Sequence, residues 1–309
     1  SRLVGLPCCF QIAGQPALPV DEPGVLDRLM EGLPHSCPVA IYKRKRTRKE
    51  TTGAGTSAAV PRPRSLLEAL QNLPEYETEN LLEQLKRIMT REAIAEIERL
   101  TRAEALSSDW MLCRSGMVTA CICHGFFTRA KSLKTQPRPH ILRGLLDKVF
   151  QVSTFQSASM KRGKQKEGTA KEKYRSKLVK EGHCPRIENS GLTIWELMPI
   201  MGGLPDGILV FECECCEGKR ALLEVKCPEV VQNSFCQKTR ERKYVYYTQM
   251  QVCIGTTAIT SCDFFVYVSE TDYKLVEVKY NHAHFEECVH AIRSIYVDYL
   301  FPGLKGALN

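Results

Sequence analysis

The sequence predicts an α/β fold, a mixed central β-sheet with helices on its faces, and three observations carry that prediction. Apolar residues recur at helical spacing in the first third of the chain. Beyond Asp109, helix and strand candidates alternate. One apolar strand candidate, Ala221-Leu222-Leu223, leads directly to a carboxylate, Glu224, and others lie before and after Asp206. An alternating order of this kind argues a layered sheet with helices packed on it. At 309 residues with 43% hydrophobic content, the chain can bury a full core.

Taken in order, residues 1–64 read as a basic, loosely structured segment. Lys43-Arg44-Lys45-Arg46-Thr47-Arg48-Lys49 is followed by a Thr/Gly/Ala/Ser stretch and Pro61-Arg62-Pro63-Arg64. Such a composition buries too little apolar surface to fold alone. The run reads either as a solvated linker or as a nuclear-import signal or DNA tether, and import is the favoured reading. The first residue is Ser1, so residues 1–64 are also open to being part of a further domain. Residues 65–105 form an amphipathic helical lead-in, with Leu66, Leu67, Leu70, Leu73, Leu81, Leu82, Leu85, Ile88, Ile94, Ile97 and Leu100 at helical spacing. Residues 106–309 form the main domain. A helix is expected over 161–180, then strands at 191–195, 208–211 and around Glu224, a helix over 240–254, strands over 263–269 and 274–279, and a final helix over 285–300.

Composition narrows the function classes. No apolar run reaches the roughly 18 residues that span a bilayer, and no export signal opens the chain, so an intracellular protein is expected. The 15 cysteines then read as reduced thiols. Cys8-Cys9 and the group Cys213, Cys215, Cys216 are clusters, but neither is read as the paired spacing of a zinc site, and no metal is expected there. The formal net charge of +8 suits a polyanionic partner.

The chemistry concentrates in Pro205-Asp206-Gly207 and, a hairpin's length later, Glu224-Val225-Lys226. An Asp and a Glu close together at strand ends offer hard oxygen ligands of the kind Mg²⁺ prefers. Side chains alternate along a strand, so Lys226 shares the face of Glu224. A divalent ion to acidify a water and a cation to hold the nucleophile are the parts needed to cut a phosphodiester. The bland reading is a common turn plus a solvated charge pair. Ala221-Leu222-Leu223 tips the balance, because a buried strand delivers Glu224 to its end. The second E-x-K, Glu277-Val278-Lys279, lacks an Asp-Gly turn at hairpin distance and reads as an edge-strand charge pattern.

Three further segments complete the candidate site. Glu167, Ala170 and Tyr174 fall on one helix face, which places a carboxylate on a core-facing stripe. Gln249 and Gln251 lie about 200° apart on a helix, and Gln249 shares its face with Tyr246 and Cys253. Arg114 precedes a small-residue turn in Trp110-Met111-Leu112-Cys113-Arg114-Ser115-Gly116-Met117-Val118-Thr119-Ala120-Cys121, an arrangement suited to phosphate capture at a helix start. Taken alone, Arg114 reads as an ordinary surface ion-pair residue.

In this order, the motifs W-x(3)-R-x-G-x-x-T-A, G-K-Q-x-E-x-x-A, P-D-G, E-V-K-C-P and Q-M-Q resemble the lambda exonuclease / YqaJ-like viral recombinase family of the PD-(D/E)xK nucleases. The resemblance runs from about Ile97 to the C-terminus. It implies a restriction-endonuclease-like core and a Mg²⁺-dependent deoxyribonuclease, with Mn²⁺ as an alternative ion. The expected activity is a 5′-to-3′ exonuclease on double-stranded DNA ends. It further implies that Asp206, Glu224, Glu167 and the Val225 carbonyl hold metal, that Lys226 activates the attacking water, and that Gln249 organises the site. Arg114 is implied to grip the 5′-phosphate, with Cys121 standing where the family usually has Ser. A thiol donates weakly compared with a hydroxyl, which puts selectivity for a phosphorylated end in question. The resemblance also implies DNA as partner, a strand-annealing recombinase partner, and closure of some members into ring oligomers. A structure-specific endonuclease and a catalytically silent DNA-binding protein are the competing readings.

Overall fold

The computed structural model describes residues 65–71, 73, 80–102, 108–136, 138–150, 157–236 and 243–301. The basic run at 43–49 lies outside them. Within the described residues, α1 (Leu66–Gln71), α2 (Leu81–Ile88), α3 (Arg91–Thr101) and α4 (Ser108–Arg114) lead to a two-residue strand β1 (Val118–Thr119). Helices α5 (Ala120–Thr135), α6 (Pro139–Val149) and the long α7 (Ala158–Lys180) follow. Next come β2 (Pro185–Glu188), β3 (Thr193–Ile194), β4 (Met201–Gly203), β5 (Gly207–Phe211) and β6 (Arg220–Lys226). Helix α8 (Tyr244–Thr257), strands β7 (Ser261–Tyr267) and β8 (Tyr273–Lys279), and helix α9 (His282–Ile295) complete the order.

Five strands form the main sheet in the order β2-β5-β6-β7-β8. Only the β6–β7 pair is parallel. The crossover between those two strands contains α8, as a parallel connection requires. Strand period two sorts the core cleanly. Leu222, Phe264 and Val266 join the large apolar cluster on one face, while Leu223, Val225, Phe265 and Tyr267 join a second cluster on the other. Helix α7 covers the second face with Ala170, Tyr174 and Leu178, which recur every fourth residue. The Tyr174 hydroxyl donates to Asp263 on β7 and fixes the helix across the sheet.

Helix α8 carries no charged residue from Tyr244 to Thr257, and its buried residues surround it, as expected of a helix enclosed in a core. Helix α5 and helix α9 pack against it in the large cluster. The helical lead-in is not a separate layer, since Leu66, Leu67, Leu81, Leu85 and Ile97 are buried in that same cluster. No helix among the described residues is long and apolar enough to cross a membrane.

Two expectations are corrected here. The strand expected at Gly191–Trp195 is only Thr193–Ile194, and it lies outside the main sheet. Helix α3 captures this backbone: Gly191 N–H donates to Glu98 at 2.9 Å and Leu192 N–H to Thr101 Oγ1 at 2.7 Å. Strand β3 pairs instead with β4 in a small sheet ordered β1-β4-β3. The helix expected over 240–254 is described from Tyr244 and runs on to Thr257; residues 240–242 lie outside the described residues.

Candidate active site

Strand β4 ends at Gly203, three residues before Asp206, and Asp206 in turn precedes β5. Pairing between β5 and β6 begins at Gly207 and Leu223, so Asp206 and Glu224 sit together just past the last rung. Val225 N–H, freed from β5 at this point, donates to Asp206 Oδ2 at 2.7 Å. In an extended strand, a residue's N–H and C=O point to the same side. The Val225 carbonyl is therefore turned toward the Asp206 edge as well.

Glu224 and Lys226 share the face covered by α8, as period two requires. Gln249 of α8 donates to Glu224 Oε1 at 2.6 Å, and the Lys226 ammonium donates to the same oxygen. Lys226 also lies 5.4 Å from the centroid of the Tyr246 ring. Glu224 Oε2 is left buried with no hydrogen-bond partner. Close packing of α8 on β4 makes this reach feasible. A Cβ on Gly203 would stand 2.5 Å from Thr256 Oγ1 and 3.0 Å from the Cys253 Cα, so only glycine fits. Gln251, on the other side of the helix, donates to the Lys279 carbonyl and accepts from Asn281 N–H, which is structural work away from the site.

The electrostatics show a site short of positive charge. Burial pushes Glu224 up to about 7, and the Asp206 charge adds to the rise. Burial also raises Asp206; Lys226 draws it back and Glu167 pushes it further up. Burial alone would lower Lys226, but the charges of Glu224 and Asp206 outweigh it and hold its pKa above the ordinary lysine value. Two close carboxylates resist ionising together unless a cation joins them. An orphaned buried oxygen, a second carboxylate and a carbonyl on one edge form a hard-oxygen donor set that fits a divalent ion.

Glu167 approaches from the opposite face of the sheet, on α7. Its side chain is 36% exposed and pairs with Lys171 at 2.5 Å. The carboxylate thus lies at the solvent end of the core-facing stripe rather than within it, close enough to act on Asp206.

Arg114 and Cys121 are brought together at the start of α5. Arg114 Nη2 is 3.6 Å from Cys121 Sγ, and Thr119 Oγ1 is 3.1 Å from that sulfur. The guanidinium stacks 4.2 Å from the Trp110 ring centroid, and its Nε is buried without a partner. Thr119 makes no side-chain cap, so the first-turn N–H groups of α5 face this pocket uncapped by it. Lys148 of α6 also belongs here. Burial lowers its pKa, Arg129 lowers it further, and Cys121 acts against both. The sequence reading missed Lys148, because a single lysine on an amphipathic helix carries no signal of its own.

The pocket and the carboxylate cluster are joined through the small sheet, where Thr119 pairs with Gly202 in parallel register. The buried Cys253 thiol lies between them. Burial raises its pKa well above the ordinary value, and the charges of Glu224, Asp206 and Cys121 all contribute.

Local spacing gives no reason to expect a metal near Cys213, but the structure adds a residue to that cluster. Cys213, Cys215 and Cys216 converge with His183, whose position thirty residues earlier hid it from a reading of local spacing.

Residues 109–263 match the family model described as the YqaJ-like viral recombinase domain. Among solved structures, the chain is similar to an alkaline exonuclease (LHK-Exo) from Laribacter hongkongensis. That match has 22% identity and a TM-score of 0.50, over 64% of this chain and 96% of that one. LHK-Exo in complex with dAMP is similar at 22% identity and a TM-score of 0.49, over the same shares. The first likeness shows a shared fold, the restriction-endonuclease-like arrangement of a mixed sheet flanked by helices. No curated protein matches the chain.

Proposed function

The chain belongs to the YqaJ-like viral recombinase family, and from that premise we propose that it is a divalent-metal-dependent deoxyribonuclease, a 5′-to-3′ exonuclease on double-stranded DNA ends. One observation carries the reading: the buried, unpartnered Glu224 Oε2 beside Asp206, in a site where Lys226 offsets only part of the negative charge. The alkaline exonuclease activity named for LHK-Exo is in keeping with it.

Asp206, Glu224 and the Val225 carbonyl would hold Mg²⁺, or Mn²⁺ in its place, with Glu167 completing the set. When bound there, such an ion supplies charge against the phosphoryl oxygens and lowers the pKa of a water. This chain's own residues do the rest. Gln249 fixes Glu224 by one oxygen and keeps the other free. Val225 N–H fixes the Asp206 carboxylate. Lys226 holds the attacking water in line with the scissile phosphorus, its charge maintained by the two carboxylates around it. Arg114 grips the terminal 5′-phosphate through its guanidinium, and Cys121 and Lys148 line the same pocket. Exposed Lys161 and Lys164 at the start of α7 suit contact with the DNA backbone.

The test is digestion of linear 5′-phosphorylated duplex beside closed circular DNA, with Mg²⁺ or with EDTA. Metal-dependent loss of the linear form alone is expected. Cutting of the circle would replace the exonuclease with a structure-specific endonuclease, and no cutting of either by folded protein would leave a silent DNA-binding protein. Ring closure and a strand-annealing partner belong to the same reading, and sedimentation of the protein with and without DNA tests the first. Nuclear location rests on residues 43–49, and deleting that run should abolish nuclear accumulation.

A further inference from the structure

At the end of the β5–β6 hairpin remote from Asp206, four side chains converge with no role in the chemistry above. The hairpin tip reads Cys213-Glu214-Cys215-Cys216-Glu217-Gly218-Lys219. Residues Glu214–Cys216 form a single 3₁₀ turn, closed by Cys216 N–H donating to the Cys213 carbonyl at 3.1 Å. In that geometry, side chains three apart lie one above the other, which brings the Cys213 and Cys216 sulfurs to the same side.

The fourth group comes from the end of α7. Gly182, at φ +86°, takes the left-handed conformation that ends a helix. Its N–H donates to the Val179 carbonyl and that of His183 to the Leu178 carbonyl, each at 3.0 Å. This double bond pattern is a Schellman cap, and it fixes the direction in which His183 leaves the helix. The imidazole stands edge-on to Phe211 of β5 at 5.8 Å. Glu212 N–H donates to the Cys184 carbonyl at 3.0 Å, holding the hairpin arm beside the segment that leads from the histidine into β2.

The resulting distances describe a small tetrahedron. The sulfurs lie 2.9 Å (Cys213–Cys216), 3.3 Å (Cys213–Cys215) and 3.7 Å (Cys215–Cys216) apart. His183 Nδ1 lies 3.9, 3.5 and 3.6 Å from the sulfurs of Cys213, Cys215 and Cys216. A Cys₃His zinc site, with Zn–S near 2.3 Å and Zn–N near 2.0–2.1 Å, has ligand-to-ligand edges of about 3.5–3.8 Å. The nitrogen–sulfur edges of 3.5–3.9 Å agree with those values, the sulfur–sulfur edges of 2.9–3.7 Å are tighter, and all four ligand atoms lie within 4.8 Å of one another. All three thiols are free of disulfides. A Cys213–Cys216 disulfide would account for two of the sulfurs and leave the approach of Cys215 and His183 without a cause.

We propose that His183, Cys213, Cys215 and Cys216 bind one zinc ion in a closed, four-ligand structural site. The ion joins the C-terminal end of α7, which carries Glu167, to the hairpin whose arms carry Asp206 and Glu224. It is a clamp on the scaffold of the carboxylate cluster, chemically separate from it: soft thiolates select zinc, while the hard-oxygen site selects magnesium. The sequence pattern is a histidine following a helix-ending glycine, then C-x-C-C at a hairpin tip thirty residues later.

Metal analysis of the reduced, purified full chain tests this, with cobalt replacement as the spectroscopic readout. One zinc per chain is expected. After replacement, Co²⁺ should show the thiolate charge-transfer absorption and the strong visible bands of tetrahedral coordination. Cys215→Ser and His183→Ala should lose the zinc, or yield it to a chelator at least ten times faster, while His183→Cys restores four ligands and should retain it. Cys184→Ser and Asp206→Asn should keep the zinc, which separates this site from a neighbouring thiol and from the carboxylate cluster. The proposal is overturned by folded wild-type protein that holds neither zinc nor cobalt under reducing conditions. Zinc retained equally by Cys215→Ser and His183→Ala, or lost with Asp206→Asn, would overturn it too, as would a Cys213–Cys216 disulfide in protein isolated without oxidant.

Discussion

The carboxylate cluster and the Arg114 pocket are linked by one short parallel strand pair, yet they are built in opposite ways. In the cluster, each group is held by a strong partner: Gln249 and Lys226 on Glu224, Val225 N–H on Asp206. Glu224 Oε2 is left over, and it is buried. In the pocket, the charged group rests on weak partners, a sulfur at 3.6 Å and an indole face, with Nε unpartnered. Rigid, desolvated carboxylates fix the geometry of a reaction. Loosely held cations wait for an anion to complete them. Damage to the first should therefore cost turnover, and damage to the second should change which DNA ends are chosen.

The largest effect is expected at Lys226. Replacing Lys226 by Ala should lower the single-turnover rate by roughly 10³-fold, within the range seen when a group stabilising the transition state is lost, while DNA binding measured by anisotropy stays nearly unchanged. A loss of binding equal to the loss of rate would place Lys226 in DNA affinity rather than chemistry.

Next comes a pH effect on the metal-free protein. The Glu224 carboxyl is raised to about 7 from an ordinary 4.5, so the folded state holds its proton more tightly than the unfolded state. Its contribution to stability is therefore present below the unfolded pKa and is lost as pH rises from about 4.5 to about 7. Asp206, also raised, acts in the same direction, and Lys226 stays charged throughout this window. The full swing for Glu224 is on the order of 3 kcal/mol. Melting temperatures in EDTA should fall across that window and those in Mg²⁺ should fall less, with Glu224→Gln flattening the EDTA curve. A metal-free curve that rises over the same range would contradict the assignment.

Gln249→Ala should be milder. Groups that orient a metal ligand without touching the metal contribute about 10–100-fold to affinity or activity. Raised Mg²⁺ concentration should recover part of the lost rate, and no recovery would point to a fold defect instead. The smallest effect belongs to the pocket. Cys121→Ser supplies a better donor and should raise the preference for 5′-phosphorylated over 5′-hydroxyl ends by a few fold, roughly the worth of one improved hydrogen bond. Lys148→Ala should lower the same preference with little change on unphosphorylated ends. A ratio unmoved by both substitutions would remove the pocket from end recognition.

What the sequence made legible follows from the reach of each signal. Strands β5 to β8 could be read because alternation and buried apolar runs are local, and Glu224 and Lys226 then had to share a face. Gln249, Tyr246 and Cys253 were legible as one helical face, and that face does meet the cluster. The two- and three-residue strands β1, β3 and β4 are too short for any period to register, so the true strand leading to Asp206 was hidden. Glu167 was placed on the right helix but read as more enclosed than it is, because helical phase fixes a face and not how far the neighbouring sheet extends. Lys148 and His183 lay beyond reach for a common reason. Each matters only through residues about thirty positions away, and a lone lysine or histidine has no pattern.

The most direct test measures divalent-ion binding and turnover of one linear 5′-phosphorylated duplex together, in wild type, Asp206→Asn and Lys226→Ala. The account predicts that wild type binds and cuts, that Asp206→Asn loses both, and that Lys226→Ala keeps ion binding while losing turnover. Full turnover by Asp206→Asn, or ion binding unchanged by it, would contradict the claim that the buried carboxylates form the catalytic metal site.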